Sequence, residues 1–413
     1  MRILWISSTV LPRIEIMQGK VPRSVLGGWL TGILDNLLQV PEVSICYCYP
    51  QTEYIHTIKD HEENFSYCGF PVNSDNYLSE FLQELKIFNP DVVHFFGTEA
   101  AWSYDLLKQC QREGYLSKTV FSIQGLVSKI PEHYFSGIPS KWKFSATLSE
   151  LYSATSMCAI NRSYKKRGIH EVEELSLAQN VIGRTNWDKA CVLQINPDVR
   201  YFKCNETLRP EFYSGKWSSR ACKKHSIYFS QGTKPLKGLH MLLKAMNIIL
   251  QRYPDVEIFA SGSNILEGNW IRGSAYGIYL RTLIRHYHLE GHIHFLGSID
   301  AENVKRHLLR ANVFVSASSI ENSSNSLGEA MLLGVPCVAS DVGGTSSMVA
   351  HEKEGFVYPF DEYYMLAYYI MTIFMDDEIA DRMSENARIR AMETHSRERN
   401  NVTLLNIYRE LMG

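Results

Sequence analysis

Short apolar runs of buried-strand type recur along this chain, and most end in a polar or glycine-bearing loop that leads into a helix-forming stretch. In the first half the runs are Met1 to Ile6, Val43 to Cys48, Pro90 to Gly97, Val120 to Ile123 and the strand opened by Val181-Ile182. In the second half they are Ser226 to Ser230, Val256 to Ala260, Ile293 to Leu296, Val313 to Val315 and Val335 to Ala339. Helical periodicity fills intervals such as Tyr77 to Phe88, Leu239 to Tyr253 and Leu327 to Leu333. A parallel strand pair needs a covering crossover, so this alternation predicts an α/β chain with parallel, doubly wound sheets. Its 413 residues suffice for two separate cores. The turn-rich, charged stretch from about Asn205 to His225 reads as the linker between them.

Ligands of open parallel sheets bind where the strands end. The richest such place is Ser318 to Met331. Glu321 lies in the loop after one strand, and Glu329 in the early turns of the next helix, for which Ser323, Ser324 and Asn325 are all candidate N-caps. Between the two carboxylates the helix start offers the N–H groups of Ser326 and Leu327, with Asn322 just before them, a setting suited to phosphate. Taken alone, the two glutamates could equally be solvated charges. Gly262 follows another strand end, as do Glu99 and Gln124 in the first half, while His94 reads as a strand residue with a satisfied ring. Gly27-Gly28 opens a helix, where paired glycines make either a plain turn or a close backbone approach to a ligand. Arg184, in a turn at a strand end, is either a surface residue or an anion contact.

The helix ends at Gly334, and the strand after it runs into Gly343-Gly344. With these flanks the stretch resembles the retaining glycosyltransferases of family 4, which have a Glu-x7-Glu signature here and a GT-B fold of two Rossmann-like domains facing across a cleft. The resemblance implies an acceptor domain over residues 1–205, completed by a returning helix at 396–413, and a donor domain over 206–395. Lys237-Gly238 matches the family's Lys-Gly motif, whose lysine neutralises the donor diphosphate. The family's arginine five residues earlier is replaced by Gly232, which leaves Lys234 or Arg184 as substitutes. Gln124-Gly125 stands where many relatives have His-Gly, so no imidazole role transfers, although Gln124 can still bond a sugar hydroxyl. By resemblance, Gly27 and Gly28 face the donor diphosphate, Glu329 holds the ribose and Glu321 the transferred sugar.

The expected activity is retaining transfer of a sugar from a UDP- or GDP-sugar, as co-substrate, to a carbohydrate or lipid-linked acceptor in polysaccharide or glycoconjugate synthesis. Lys237 and Glu321 would be the catalytic groups. No cofactor and no metal are expected, since no Asp-x-Asp pair follows a strand. The alternatives are a phosphorylase or nucleotide-sugar epimerase of the same fold, or a sugar-nucleotide-binding module without turnover.

A net charge of −2 makes no case for a nucleic-acid partner. Nine cysteines without a CxxC pair argue against disulfide or zinc frameworks and fit buried thiols in the cytosol. Met1 to Ile6 is too short an apolar run for a signal peptide or membrane span. The basic runs Lys141-Trp142-Lys143-Phe144 and Lys165-Lys166-Arg167 are either solvated faces or contacts to anionic lipid heads at the inner membrane face or to a lipid-linked diphosphate acceptor.

Overall fold

The computed structural model describes residues 1–21, 28–54 and 56–413. It divides into two compact units, one of residues 1–128, 166–208 and 395–413, the other of 129–165 and 209–394. The sequence-based division is therefore corrected at 129–165, which belongs with the second unit. The expected linker is corrected too. From Arg209 onward the chain is built into unit 2, where buried Trp217 bonds Leu333 O through its backbone and Ala311 O through its indole N–H.

The first sheet is made of β1 (Arg2–Ser7), β2 (Ser44–Gln51), β3 (Ile58–Glu62), β4 (Phe65–Pro71), β5 (Val92–Phe96), β6 (Thr119–Ser122), β7 (Asn180–Gly183) and β8 (Arg200–Lys203). Its order is β3-β4-β2-β1-β5-β6-β7-β8, parallel except for β3, which pairs antiparallel with β4 at the edge. Strands β1 and β5 are apolar at consecutive positions because both sheet faces are covered. The helix Arg397–Met412 lays Leu404, Leu405, Ile407, Tyr408 and Leu411 into one of these two cores.

The second sheet contains β9 (Ser226–Phe229), β10 (Glu257–Ala260), β11 (Ile293–Phe295), β12 (Val313–Ser316), β13 (Cys337–Ser340) and β14 (Phe356–Tyr358), all parallel in the order β11-β10-β9-β12-β13-β14. The chain winds outward from β9 through β10 to β11, then returns to β12 on the other side. The reversal puts a topological switch point between β9 and β12, and the first sheet has its own between β1 and β5. The helix expected over Leu239 to Tyr253 stops at Ile249. All nine cysteines are free thiols.

Candidate active site

In unit 2 the loops after β9 and β12 meet at the switch point. The first is closed by the one-turn helix Pro235–Lys237 and Gly238, which takes the left-handed conformation. A Cβ at Gly238 would lie 1.7 Å from the Ala317 carbonyl oxygen, so only glycine lets this turn press against the end of β12. The Ser319 N–H donates to Leu236 O at 2.8 Å and fastens the two loops. Together these contacts set the Lys237 ammonium in an ion pair with Glu321, whose Oε1 also accepts from the Ser318 hydroxyl at 2.7 Å. From the other side, the Gly344 N–H donates to Glu321 O, and Gly343 packs so close to that carbonyl that a Cβ would stand 1.9 Å from it. Lys237 and Glu321, drawn from separate motifs, are thus brought together.

The next helix, Asn325–Leu333, starts from Ser324, which makes no side-chain cap bond. The first-turn N–H groups, including those of Ser326 and Leu327, have no intrahelical acceptor, leaving a positive end for an anion. Asn322 is buried just before this turn. Gly262 sits after β10 with positive φ, its N–H bonded to Gly297 O, and a Cβ on it would touch Thr233 at 3.4 Å. Gly27 lies outside the described residues, and Gly28 begins the helix Gly28–Leu37 in unit 1.

Glu329 is buried and held in a two-pronged pair by Arg209, Nε to Oε1 at 2.7 Å and Nη2 to Oε2 at 2.8 Å. Burial raises this carboxyl from its ordinary range, and the guanidinium works against the rise. For Arg209 burial disfavours the charge, and the carboxylate outweighs it, so the net shift is upward. Each carboxylate oxygen keeps a second lone pair, so the pair leaves room for a hydroxyl donor. Arg209 lay in the expected linker and was missed there.

Gly232, where the resemblance expects an arginine, is buried against neighbouring side chains. A Cβ on Gly232 would meet Leu239 at 3.1 Å and Phe295 at 3.4 Å. Lys234 is exposed in the same loop. Arg184 is corrected as an anion contact: it is buried in unit 1, donating to Ile123 O and Gln124 O at 2.8 Å each and pairing with Glu206 at 2.6 Å. Gln124 is drawn into the same network, its amide donating to Glu206 Oε1 at 2.7 Å. Glu206 is raised by burial and lowered by Arg184 and Gln124.

Unit 1 carries its own recess, of about 140 Å³, at the β1/β5 switch point. Ser8, Glu99, Trp102 and Arg167 line it. Burial raises the Glu99 carboxyl, Glu171 adds to the rise, and Arg167 and Arg184 oppose it. Glu171 accepts from Thr98 Oγ1 at 2.6 Å and from the N–H groups of Val127 and Ser128, which ties the helix Met157–Leu177 to the loops after β5 and β6. His94 is satisfied as expected, by the Tyr408 and Ser122 hydroxyls at 2.6 and 2.7 Å.

Residues 216–390 match the family of glycosyl transferases group 1. A putative glycosyltransferase of Bacillus subtilis, YtcC, is 33% identical over 172 residues, 40% of this chain and 40% of that protein, so the match spans well under half of the relative's length. Among solved structures, sucrose-phosphate synthase from Thermosynechococcus elongatus aligns over 100% of this chain and 99% of its own, with TM-score 0.68 and 18% identity. Anabaena HepE in complex with UDP-glucose aligns over 99% and 100%, with TM-score 0.68 and 16% identity. These likenesses show the fold, which is GT-B. No described helix is long and apolar enough to cross a membrane.

Proposed function

We propose, from the match of residues 216–390 to the group 1 glycosyl transferases, that this chain transfers a sugar from a nucleoside diphosphate sugar to a carbohydrate or lipid-linked acceptor, with retention of configuration. The observation that carries the reading is the pairing of Lys237 with Glu321 at the β9/β12 switch point, beside a helix start without a side-chain cap. Departure of a nucleoside diphosphate develops negative charge, which a preorganised cation and aligned N–H groups stabilise. Lys237 is half-buried and aimed by Glu321. When a diphosphate takes the ammonium, Glu321 is released toward the hydroxyls of the transferred sugar. Glu329, kept oriented by Arg209, holds the ribose. The acceptor hydroxyl attacks from the leaving group's own face, and the departing phosphate takes its proton. Unit 1 supplies the acceptor recess, with Glu99 and Trp102 placed to meet a sugar.

The likeness to a UDP-glucose complex favours a uridine nucleotide, and the reaction fits glycoconjugate synthesis in the cytoplasm. UDP should raise the melting temperature by mass action. Donor hydrolysis or transfer should persist in excess chelator, because Lys237 and backbone amides supply the charge. No shift with any common nucleoside diphosphate would overturn donor binding. Activity lost to chelator and restored by magnesium would overturn the metal-independent step.

A further inference from the structure

Within the segment 129–165 of unit 2, the stretch around Thr147 buries polar groups and leaves several large apolar side chains in solvent. Around Thr147 the polar groups turn inward and are used up. Thr147 and Glu150 form a capping box, and the buried Glu150 carboxylate also accepts from the Ala275 N–H at 3.1 Å. Thr147 Oγ1 donates to Gly273 O at 2.8 Å, while the N–H groups of Leu148 and Ser149 donate to Trp270 O and Ile271 O. Beneath this lacing Trp142 stacks on Trp270, rings 6.1 Å apart and 3° from parallel. The apolar side chains are left outside: Tyr152 is 96% exposed and Phe144 77%, with Leu148, Leu151, Trp270 and Ile271 also in solvent.

Isolated exposed apolar residues are ordinary, but a set of this size on two loops tied backbone to backbone marks a contact surface. Its charges choose the partner. Lys141, Lys143 and Arg272 flank the patch; the one acid among residues 140–156, Glu150, is buried, and Glu267 is the single exposed acid of residues 264–273. We propose that this face docks on an anionic lipid bilayer, with Phe144, Leu148, Leu151, Tyr152, Trp270 and Ile271 entering the headgroup boundary and Lys141, Lys143 and Arg272 meeting lipid phosphates. Aromatic and aliphatic side chains bordered by cations, held on rigid loops, suit that boundary. A second copy of this chain would be the alternative occupant, and the test separates the two. The inference stands apart from the transfer reaction, since docking needs no nucleotide.

The full chain is to be sedimented with vesicles of phosphatidylcholine alone and of phosphatidylcholine mixed with phosphatidylglycerol. Binding to the mixed vesicles should exceed binding to the neutral ones and weaken with added salt. Leu148→Glu/Leu151→Glu should abolish it, with melting and any UDP-induced shift unchanged. Lys141→Ala/Lys143→Ala, with melting checked because the Lys141 ammonium lies over the Trp142 ring, should weaken it by about tenfold or more at low salt. Equal partition to neutral and anionic vesicles, or anionic binding untouched by both double variants, overturns the proposal. So does a concentration-dependent dimer in light scattering that Leu148→Glu/Leu151→Glu dissolves, because the patch would then be covered by a second copy.

Discussion

Arg209 and Glu329 show what a single residue contributes when it is buried with its partner. Removing the guanidinium leaves a desolvated carboxylate unpaired, so Arg209→Ala should cost about 3–5 kcal/mol in a urea melt. The double variant Arg209→Met/Glu329→Leu should recover much of that loss, and a double variant as unstable as Arg209→Ala alone would refute the pair. The two glutamates should separate in function. Glu329→Gln is expected to weaken UDP binding by about 1–3 kcal/mol. Glu321→Gln should leave affinity near wild type and lower turnover. Wild-type affinity and rate in both folded variants would make them bystanders. Glu321 and Glu329 are legible in the sequence because they flank the helix start that follows a strand, and Lys237 because Lys237-Gly238 opens the next helix. The Arg209 pairing was not, because it spans 120 positions and starts in a segment whose Pro210 and charges look like linker. Arg184 misled for the related reason that a cation at a strand end reads alike whether it faces an anion or, as here, buried carbonyls and Glu206.

At the scale of elements, the loop after β9 depends on Gly238 more than on any charged group. A side chain there meets both the left-handed backbone and the Ala317 carbonyl. The backbone cost alone is about 1–3 kcal/mol, and the clash must be relieved by moving the loop that carries Lys237. Gly238→Ala should therefore lower the melting temperature and also abolish the UDP-induced shift, whereas Lys237→Ala should abolish the shift with little effect on the melt. A Gly238→Ala protein that still responds to UDP like wild type would disprove the coupling. Most strands buried on both faces are readable as apolar runs, though β4, Phe-Ser-Tyr-Cys-Gly-Phe-Pro, is not, since its serine, glycine and proline break the run. Of the edge strands, β3, Ile-Lys-Asp-His-Glu, is mostly exposed and lacks a hydrophobic pattern, and β14 is three residues long. The short helices between 130 and 152 went unread for lack of any period long enough to register.

For the molecule as a whole, the chain passes between units at 128/129, 165/166, 208/209 and 394/395, and the composition marked only the third of these. Residues 129–165 are fixed in unit 2 by distant contacts, with His240 Nε2 donating to Ser136 O at 3.0 Å and Lys244 bonding Gly137 O at 3.1 Å. The same histidine meets the Tyr276 hydroxyl through Nδ1 at 3.0 Å, and in the neutral ring that nitrogen is the acceptor. Unit 1 holds a counterpart in His94, between Ser122 and Tyr408, and burial lowers both imidazoles from 6.5 to about 3. Below 6.5 the unfolded chain takes up a proton that the folded unit refuses. The stability from each buried neutral ring is thus complete above 6.5 and is lost as pH falls from there toward 3, by about 1.4 kcal/mol per pH unit for each histidine. Buried carboxyls such as Glu174, raised by desolvation, act in the opposite sense just above the ordinary carboxyl range, so the raw pH profile mixes the two. The difference between wild type and variant removes that background. His94→Asn and His240→Asn should each destabilise the protein near neutral pH, His94→Asn in the unfolding of unit 1 and His240→Asn in that of unit 2. Each deficit should then shrink by about 1.4 kcal/mol per unit as the pH drops from 6.5 to about 5. Calorimetry across that range decides it, and a deficit that stays constant with pH would show that the ring in question ionises in the folded protein.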